Sequence, residues 1–222
     1  TYHPEGAMAA SDVIHMTIRG RQTHGGRPWE GIDPVVASSQ VILALQTIVS
    51  RQVDLTTAPA VLSIGVVRGG IRNNVLPDSV SLEGTLRTFD PAMRDTILAR
   101  IRRTAEDIAA SSGATARVWF DGANPVVWND AGLTARMAPS LARVVGEKNA
   151  YVVPAKTWAE DFAYYAKSVP GFFINLGVNP PGAVQKDTAP NHSPRFFVDE
   201  SALVVGVRTW CTLALDYLSG TR

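Results

Sequence analysis

The chain uses the same punctuation twice, at Asp33-Pro34 and at Asp90-Pro91, each time between a strand-like run and an apolar face with helical spacing. An aspartate just ahead of a helix accepts hydrogen bonds from its free N–H groups. Proline fits the first helical position, where its missing N–H would have had no partner. The first helix then presents Ile42, Leu45 and Val49, and the second Ile97, Ile101, Ala105 and Ile108. Four runs read as strands: Asp12 to Ile18, with Val13 and His15 on the same side; Ala60 to Val67; the alternating Val80, Leu82, Gly84 and Leu86; and Ala114 to Phe120. A Gly20 to Gly31 loop follows the first strand, and a Gly69-Gly70 turn leads to Asn73-Asn74. Gly113 can end the second helix in the left-handed conformation. The order is β-α-β-β-α-β, the split ferredoxin-like arrangement, which gives a four-stranded sheet with two helices on one face.

After Pro125 the rhythm changes. Asn129 or Asp130 can cap a helix whose face is Leu133, Met137, Leu141 and Val144, ending at Gly146. A short strand is expected over Ala150 to Val153. The apolar run Phe172 to Leu176 reads as a strand buried on both faces, as in parallel α/β sheets. A Pro/Gly-rich loop covers Gly177 to Pro190, and a last helix from about Asp199 shows Leu203, Val207, Cys211, Ala214 and Leu218 on one side. Cys211 is expected to be a buried, inert thiol. These elements are too few to close a sheet with helices on both faces, so the second half reads as the remainder of a larger α/β domain.

Composition excludes several classes. Hydrophobic residues are 45% and charged residues 18% of the 222, a globular mixture. The net charge is +1 with no basic stripe, which argues against nucleic acid or an anionic membrane surface as partner. No apolar run approaches the roughly 18 residues needed to span a bilayer. A single cysteine leaves no internal disulfide framework and fits a reducing compartment, here taken as the cytoplasm.

Several residues could carry chemistry, and each has a plain alternative. His24 lies in Thr23-His24-Gly25-Gly26-Arg27-Pro28-Trp29, where it is either a solvated loop histidine or a hydrogen-bond donor to a developing oxyanion. Asn74 is a turn residue or a substrate-binding amide. Arg87 is a solvent-facing strand arginine or a fork that grips a carboxylate. Glu160-Asp161 is a helix N-terminus or part of a site. His15 is most simply a strand side chain. His192, in Asn191-His192-Ser193-Pro194, looks like a metal ligand, yet a catalytic zinc takes three protein ligands. The chain has four histidines and one cysteine, with no His-x-x-x-His or Cys-x-x-Cys pair.

Taken together, the ordered stretches Met8-Ala9-Ala10-Ser11-Asp12, His24-Gly25-Gly26-Arg27-Pro28-Trp29, Asp33-Pro34, Asn74-Val75-Leu76-Pro77-Asp78, Gly84-Thr85-Leu86-Arg87-Thr88-Phe89, Glu160-Asp161-Phe162 and His192-Ser193-Pro194 are distinctive. The set resembles the zinc-type amidohydrolase and metallopeptidase family that includes hippurate hydrolase, aminoacylase and indole-acetyl-amino-acid hydrolases. The resemblance implies a lid or dimerisation domain over residues 12–121, inserted into a catalytic α/β domain represented by residues 1–11 and 122–222. It further implies that His192 is a metal ligand and that His24 reaches into the partner subunit's site to stabilise an oxyanion. Asn74 and Arg87 would hold substrate, and Glu160 and Asp161 would lie near the metal pocket. The cofactor so implied is a divalent metal, zinc, with manganese or cobalt as alternatives. The substrate is an N-acyl amino acid or small peptide, and the assembly a homodimer through the lid. The family's remaining ligands and its general base come from a region preceding Thr1, so the chain is expected to be a C-terminal fragment, inactive alone. The competing expectation is a non-catalytic dimerisation or binding module.

Overall fold

A computed structural model describes residues 1–180, 182–184 and 188–220. In chain order the strands are β1 (Glu5–Met8), β2 (Ala10–Arg19), β3 (Thr23–His24), β4 (Ala60–Gly69), β5 (Val75–Leu76), β6 (Ser79–Thr88), β7 (Thr115–Asn124) and β8 (Val127–Asn129). The helices are α1 (Pro34–Arg51), α2 (Pro91–Ser111), α3 (Ala131–Val145), α4 (Phe162–Ala166) and α5 (Ser201–Leu218). Two compact units divide the chain. One comprises Met8–Val126 and Lys156–Ala163; the other comprises Thr1–Ala7, Val127–Ala155 and the segment from Tyr164 onward.

The first unit has the expected order, β2-α1-β4-β6-α2-β7, with an antiparallel sheet ordered β4-β6-β2-β7. Strand alternation sends Ile14, Met16 and Ile18 of β2 and Val80, Leu82 and Leu86 of β6 to one side. There they meet Val41, Leu45 and Ile48 of α1 and Ile97, Ile101 and Ala105 of α2. Fully burying each large aliphatic side chain contributes about 1.5–3 kcal/mol, so this face dominates the unit's stability. His15 faces the other side, as expected of a strand residue. It stacks on Trp119 with centroids 5.2 Å apart, and its Nε2 lies 3.0 Å from Asp121 Oδ2.

Both Asp-Pro devices work as caps. Asp33 Oδ1 accepts from the N–H groups of Val35 and Val36, at 2.8 and 3.2 Å, and Asp90 Oδ1 accepts from Met93 at 2.6 Å. Gly113, with φ +74°, closes α2: its N–H donates to the Ala110 carbonyl and that of Ala114 to the Ala109 carbonyl. These two bonds define the Schellman ending. The buried stripe of α1 is Ala37, Val41, Leu45 and Ile48, with Ile42 and Val49 only partly buried. That helix is apolar over more than one stripe, and the sheet selects the one with the smaller residues at its start. One charged pair lies at the sheet–helix junction. Asp12, 1% exposed, takes a two-pronged bond from Arg94, Nε to Oδ2 at 2.8 Å and Nη2 to Oδ1 at 2.5 Å. The hydrogen bond to Asp12 raises the Arg94 guanidinium above its ordinary value.

In the second unit α3 packs on α5 around Met137, Leu141 and Leu213, with Tyr2, Phe172 and Ile174 alongside. Asp130 is the α3 cap, accepting from Leu133 at 2.7 Å. Asn129 is buried instead. Its amide donates to the carbonyls of His3 and Phe173, and its oxygen accepts from Phe173 N–H.

Three expectations fail here. Ala150 to Val153 forms no strand beyond a single bridge between Tyr2 and Val152. Phe172 to Leu176 is only half-buried, with a single antiparallel bridge from Ile174 to Tyr2. An apolar run becomes a central strand only when neighbours pair with both of its edges, and among the described residues the backbone partners of this run are Thr1, which exchanges hydrogen bonds with Asn175, and Tyr2. The α5 stripe is also displaced: Thr209 and Leu213 are buried, whereas Leu203, Val207, Cys211 and Leu218 are exposed. The helix is apolar nearly all round, so periodicity could not choose its buried side.

Asp216 of α5 accepts from Ser140 Oγ at 2.5 Å and pairs with Arg143 of α3. The Ser140 hydrogen bond, with help from Arg143, holds the Asp216 carboxyl below the usual carboxylate value. A depressed pKa gives stability that is present above the unfolded carboxylate's value near 3.9 and is lost as pH falls through the folded value. The melting-temperature gap between wild type and Asp216→Asn should therefore narrow as pH drops below about 4. A constant gap across that range would show that the ionised form is not what tethers α5.

Candidate active-site elements

A two-stranded ribbon presents His24. β3 pairs with β5 in the register Thr23–Leu76 and His24–Val75, and Gly25 N–H donates to the Asn74 carbonyl at 2.8 Å. A Cβ on Gly25 would lie 3.1 Å from the Asn74 carbonyl carbon and oxygen, so glycine is what allows the close approach. The base of the loop is tied twice: Arg21 and Ile32 exchange backbone bonds, and Gly20 N–H donates to the Asp78 carbonyl at 2.9 Å. At the tip, Arg27 N–H closes a turn onto the His24 carbonyl at 2.8 Å, and Gly26 N–H meets His24 Nδ1 at 3.0 Å. His24 and Asn74 are both solvent-exposed and are brought side by side. By sequence this region reads as a loop, a turn and a strand entrance at Val75-Leu76-Pro77. What the sequence does not reveal is that those first two residues pair with Thr23-His24.

Arg87 is not part of that pair. It stands near the far end of β6, eight residues on from Ser79 and so about 26 Å along the strand. It is half-buried and donates to Ser11 Oγ on neighbouring β2. Glu160 and Asp161 directly precede α4. Glu160 Oε1 accepts from Asp161 N–H at 3.0 Å and the Glu160 carbonyl from Ala163 N–H at 3.3 Å, a local helix-start arrangement.

His192 lies in the second unit. It is exposed and holds φ +68°, the left-handed region, inside a turn closed by Ser193 N–H on the Pro190 carbonyl. For a residue other than glycine this conformation costs on the order of 1–3 kcal/mol, and such strain gathers at functional positions. A shallow cleft in the same unit is lined by Asn179, Pro180, Ala183, Thr188, Ala189, Arg195 and Phe197, without His192. Among the described residues no group of three or more His, Cys, Asp or Glu could hold a metal ion. These residues therefore do not by themselves fit a catalytic metal, which takes three protein ligands.

Residues 11–112 match the family model described as a peptidase dimerisation domain. The chain carries an M20 peptidase dimerisation domain. It is 37% identical over 212 residues to an N-acetylcysteine deacetylase of Bacillus subtilis, covering 95% of this chain and 53% of that protein. It is 30% identical over 211 residues to thermostable carboxypeptidase 2 of Saccharolobus solfataricus, covering 95% of this chain and 52% of that protein. A crystal structure of a Bacillus subtilis dinuclear metal binding peptidase from the M20 family superposes with a TM-score of 0.72 at 31% identity, covering 99% of this chain and 52% of that one. The chain thus spans about half the length of the curated relatives it matches. The mixed α/β fold with an open sheet in its dimerisation domain is that of the M20 relatives, and the His24–Asn74 ribbon lies inside that domain. No helix among the described residues is long and apolar enough to cross a membrane.

Proposed function

We propose that this chain is the dimerisation lid and C-terminal catalytic part of a metal-dependent amidohydrolase acting on N-acyl amino acids or small peptides. The lid would be residues 12–121, and the catalytic domain would hold residues 1–11 and 122–222. The observation that carries this is the ribbon that ties exposed His24 to Asn74 at a constrained loop tip within a dimerisation domain. When water adds to an amide carbonyl, negative charge collects on the carbonyl oxygen, and a fixed N–H there lowers the barrier. His24 supplies that donor and Asn74 a second amide beside it. Arg87, at the other end of β6, suits the substrate carboxylate. Because the two ends are so far apart, His24 and Asn74 serve the partner's site within a homodimer. The open strand edges of the sheet favour such pairing.

We further propose zinc as the metal, with manganese or cobalt as alternatives, and His192 as one ligand. The metal would supply a Lewis acid and an activated water. The remaining ligands and the general base would lie in a longer polypeptide, whose packing would also cover the exposed Leu203, Val204, Val207 and Trp210 of α5. The lone exposed Cys211 suits a cytoplasmic setting.

In a protein of the relatives' full length, chelation should abolish N-acyl amino acid hydrolysis and added zinc restore it. His192→Asn should lower the bound metal. Full metal content and activity in His192→Asn would remove it from the ligand set. The 222-residue chain itself should retain no stoichiometric zinc after dialysis; one tightly held ion per chain would overturn the single-ligand assignment. The absence of a metal cluster among the described residues favours one other reading, a non-catalytic dimerisation module. A full-length protein that dimerises but hydrolyses none of these substrates would decide for it.

A further inference from the structure

We propose that the Gly26 backbone N–H is a positioning group for His24. It holds the ring in the neutral form whose proton sits on Nε2, so that the outward nitrogen is a donor before substrate arrives. Gly26 N–H lies 3.0 Å from His24 Nδ1. A backbone N–H can only donate, so Nδ1 accepts with its lone pair, and a neutral imidazole then carries its one proton on Nε2. The geometry around this bond is fixed on both sides. The His24 carbonyl closes the turn with Arg27 N–H, and Gly25 N–H is tied to the Asn74 carbonyl. Space is fitted as well: a Cβ on Gly26 would come within 3.2 Å of Nδ1 and 3.3 Å of Cε1.

The chain holds its own contrast. His3 Nδ1 lies 2.6 Å from the Val153 carbonyl oxygen. A carbonyl can only accept, so that ring carries its proton on Nδ1, leaving Nε2 bare. Two histidines are thus set in opposite tautomers by one backbone donor and one backbone acceptor. The consequence for His24 is chemical. Stabilising a developing oxyanion needs an N–H already in place, because a donor that must first rearrange gives up part of its advantage. The other tautomer would turn a lone pair toward the negative oxygen.

This inference rests on the reading of His24 as an oxyanion donor, but its test needs no activity. Long-range proton–nitrogen correlation spectra of the 222-residue protein at about pH 8.5, where free imidazole is neutral, report which ring nitrogen is protonated. His24→Gln and His3→Gln assign the two rings by loss of their signals. Expected are a bare Nδ1 and protonated Nε2 for His24, the reverse for His3, and a nitrogen–nitrogen coupling across the Gly26 N–H···Nδ1 bond. A His24 ring protonated on Nδ1, or averaged between both forms without that coupling, overturns the proposal. The two failures separate. A mixed ring spectrum defeats the lock whatever the kinetics, whereas a locked ring with unchanged kcat in full-length His24→Ala defeats the donor role.

Discussion

In a protein of the relatives' full length, His24→Ala should lower kcat by roughly 10²–10³-fold while KM stays near wild type, the signature of losing one oxyanion donor. The donor acts on charge that exists only in the transition state, so ground-state binding has little to lose. The replacement residue matters. A glutamine amide reaches about where Nε2 stands, an asparagine amide only about where Nδ1 stands, so His24→Gln should keep more activity than His24→Asn. A partner role makes a sharper forecast. Mixing His24→Ala subunits with His192→Asn subunits should restore activity that neither has alone, since one of the two sites in each mixed dimer regains an intact metal site and an intact His24. Mixed dimers as dead as their parents would place His24 in its own subunit's site.

The second large effect concerns stability. Asp12→Ala should destabilise the unit containing the four-stranded sheet by about 3–5 kcal/mol, because it strands a partly buried guanidinium. The lower end is expected, since Arg94 keeps 29% exposure and can recover some water. For a chain of this size, 3 kcal/mol corresponds to a melting-temperature drop of roughly 6–12 °C. Replacing both partners by apolar residues of similar volume should cost far less, because nothing charged is then left without a partner. A loss below about 1 kcal/mol in Asp12→Ala would reduce the pair to the level of an exposed ion pair.

Much of the sheet unit was legible because its signals are local. Asp33 and Asp90 cap through atoms within three residues of themselves, Gly113 closes α2 through its own backbone, and strand alternation sorts Ile14, Met16 and Ile18 without knowledge of any partner. The site was legible only as residue types. Asn74 could be named from sequence, but its placement against His24 depends on a two-residue strand that exists only when β3 is beside it.

The second unit shows the opposite case. Asn129 and Asp130 are equal candidates for a cap by residue type, and the choice falls to Asp130 because Phe173 and His3 claim the Asn129 amide. α5 is apolar on nearly every side, and only packing against α3 decides that Thr209 and Leu213 go in while Cys211 stays out. The sequence by itself determined the elements and their order in the sheet unit, through backbone chemistry that spans three or four residues. Tertiary structure alone decided which face of α5 is buried and that Asn74 stands beside His24, because each depends on a neighbour distant in the sequence and not written in the local pattern.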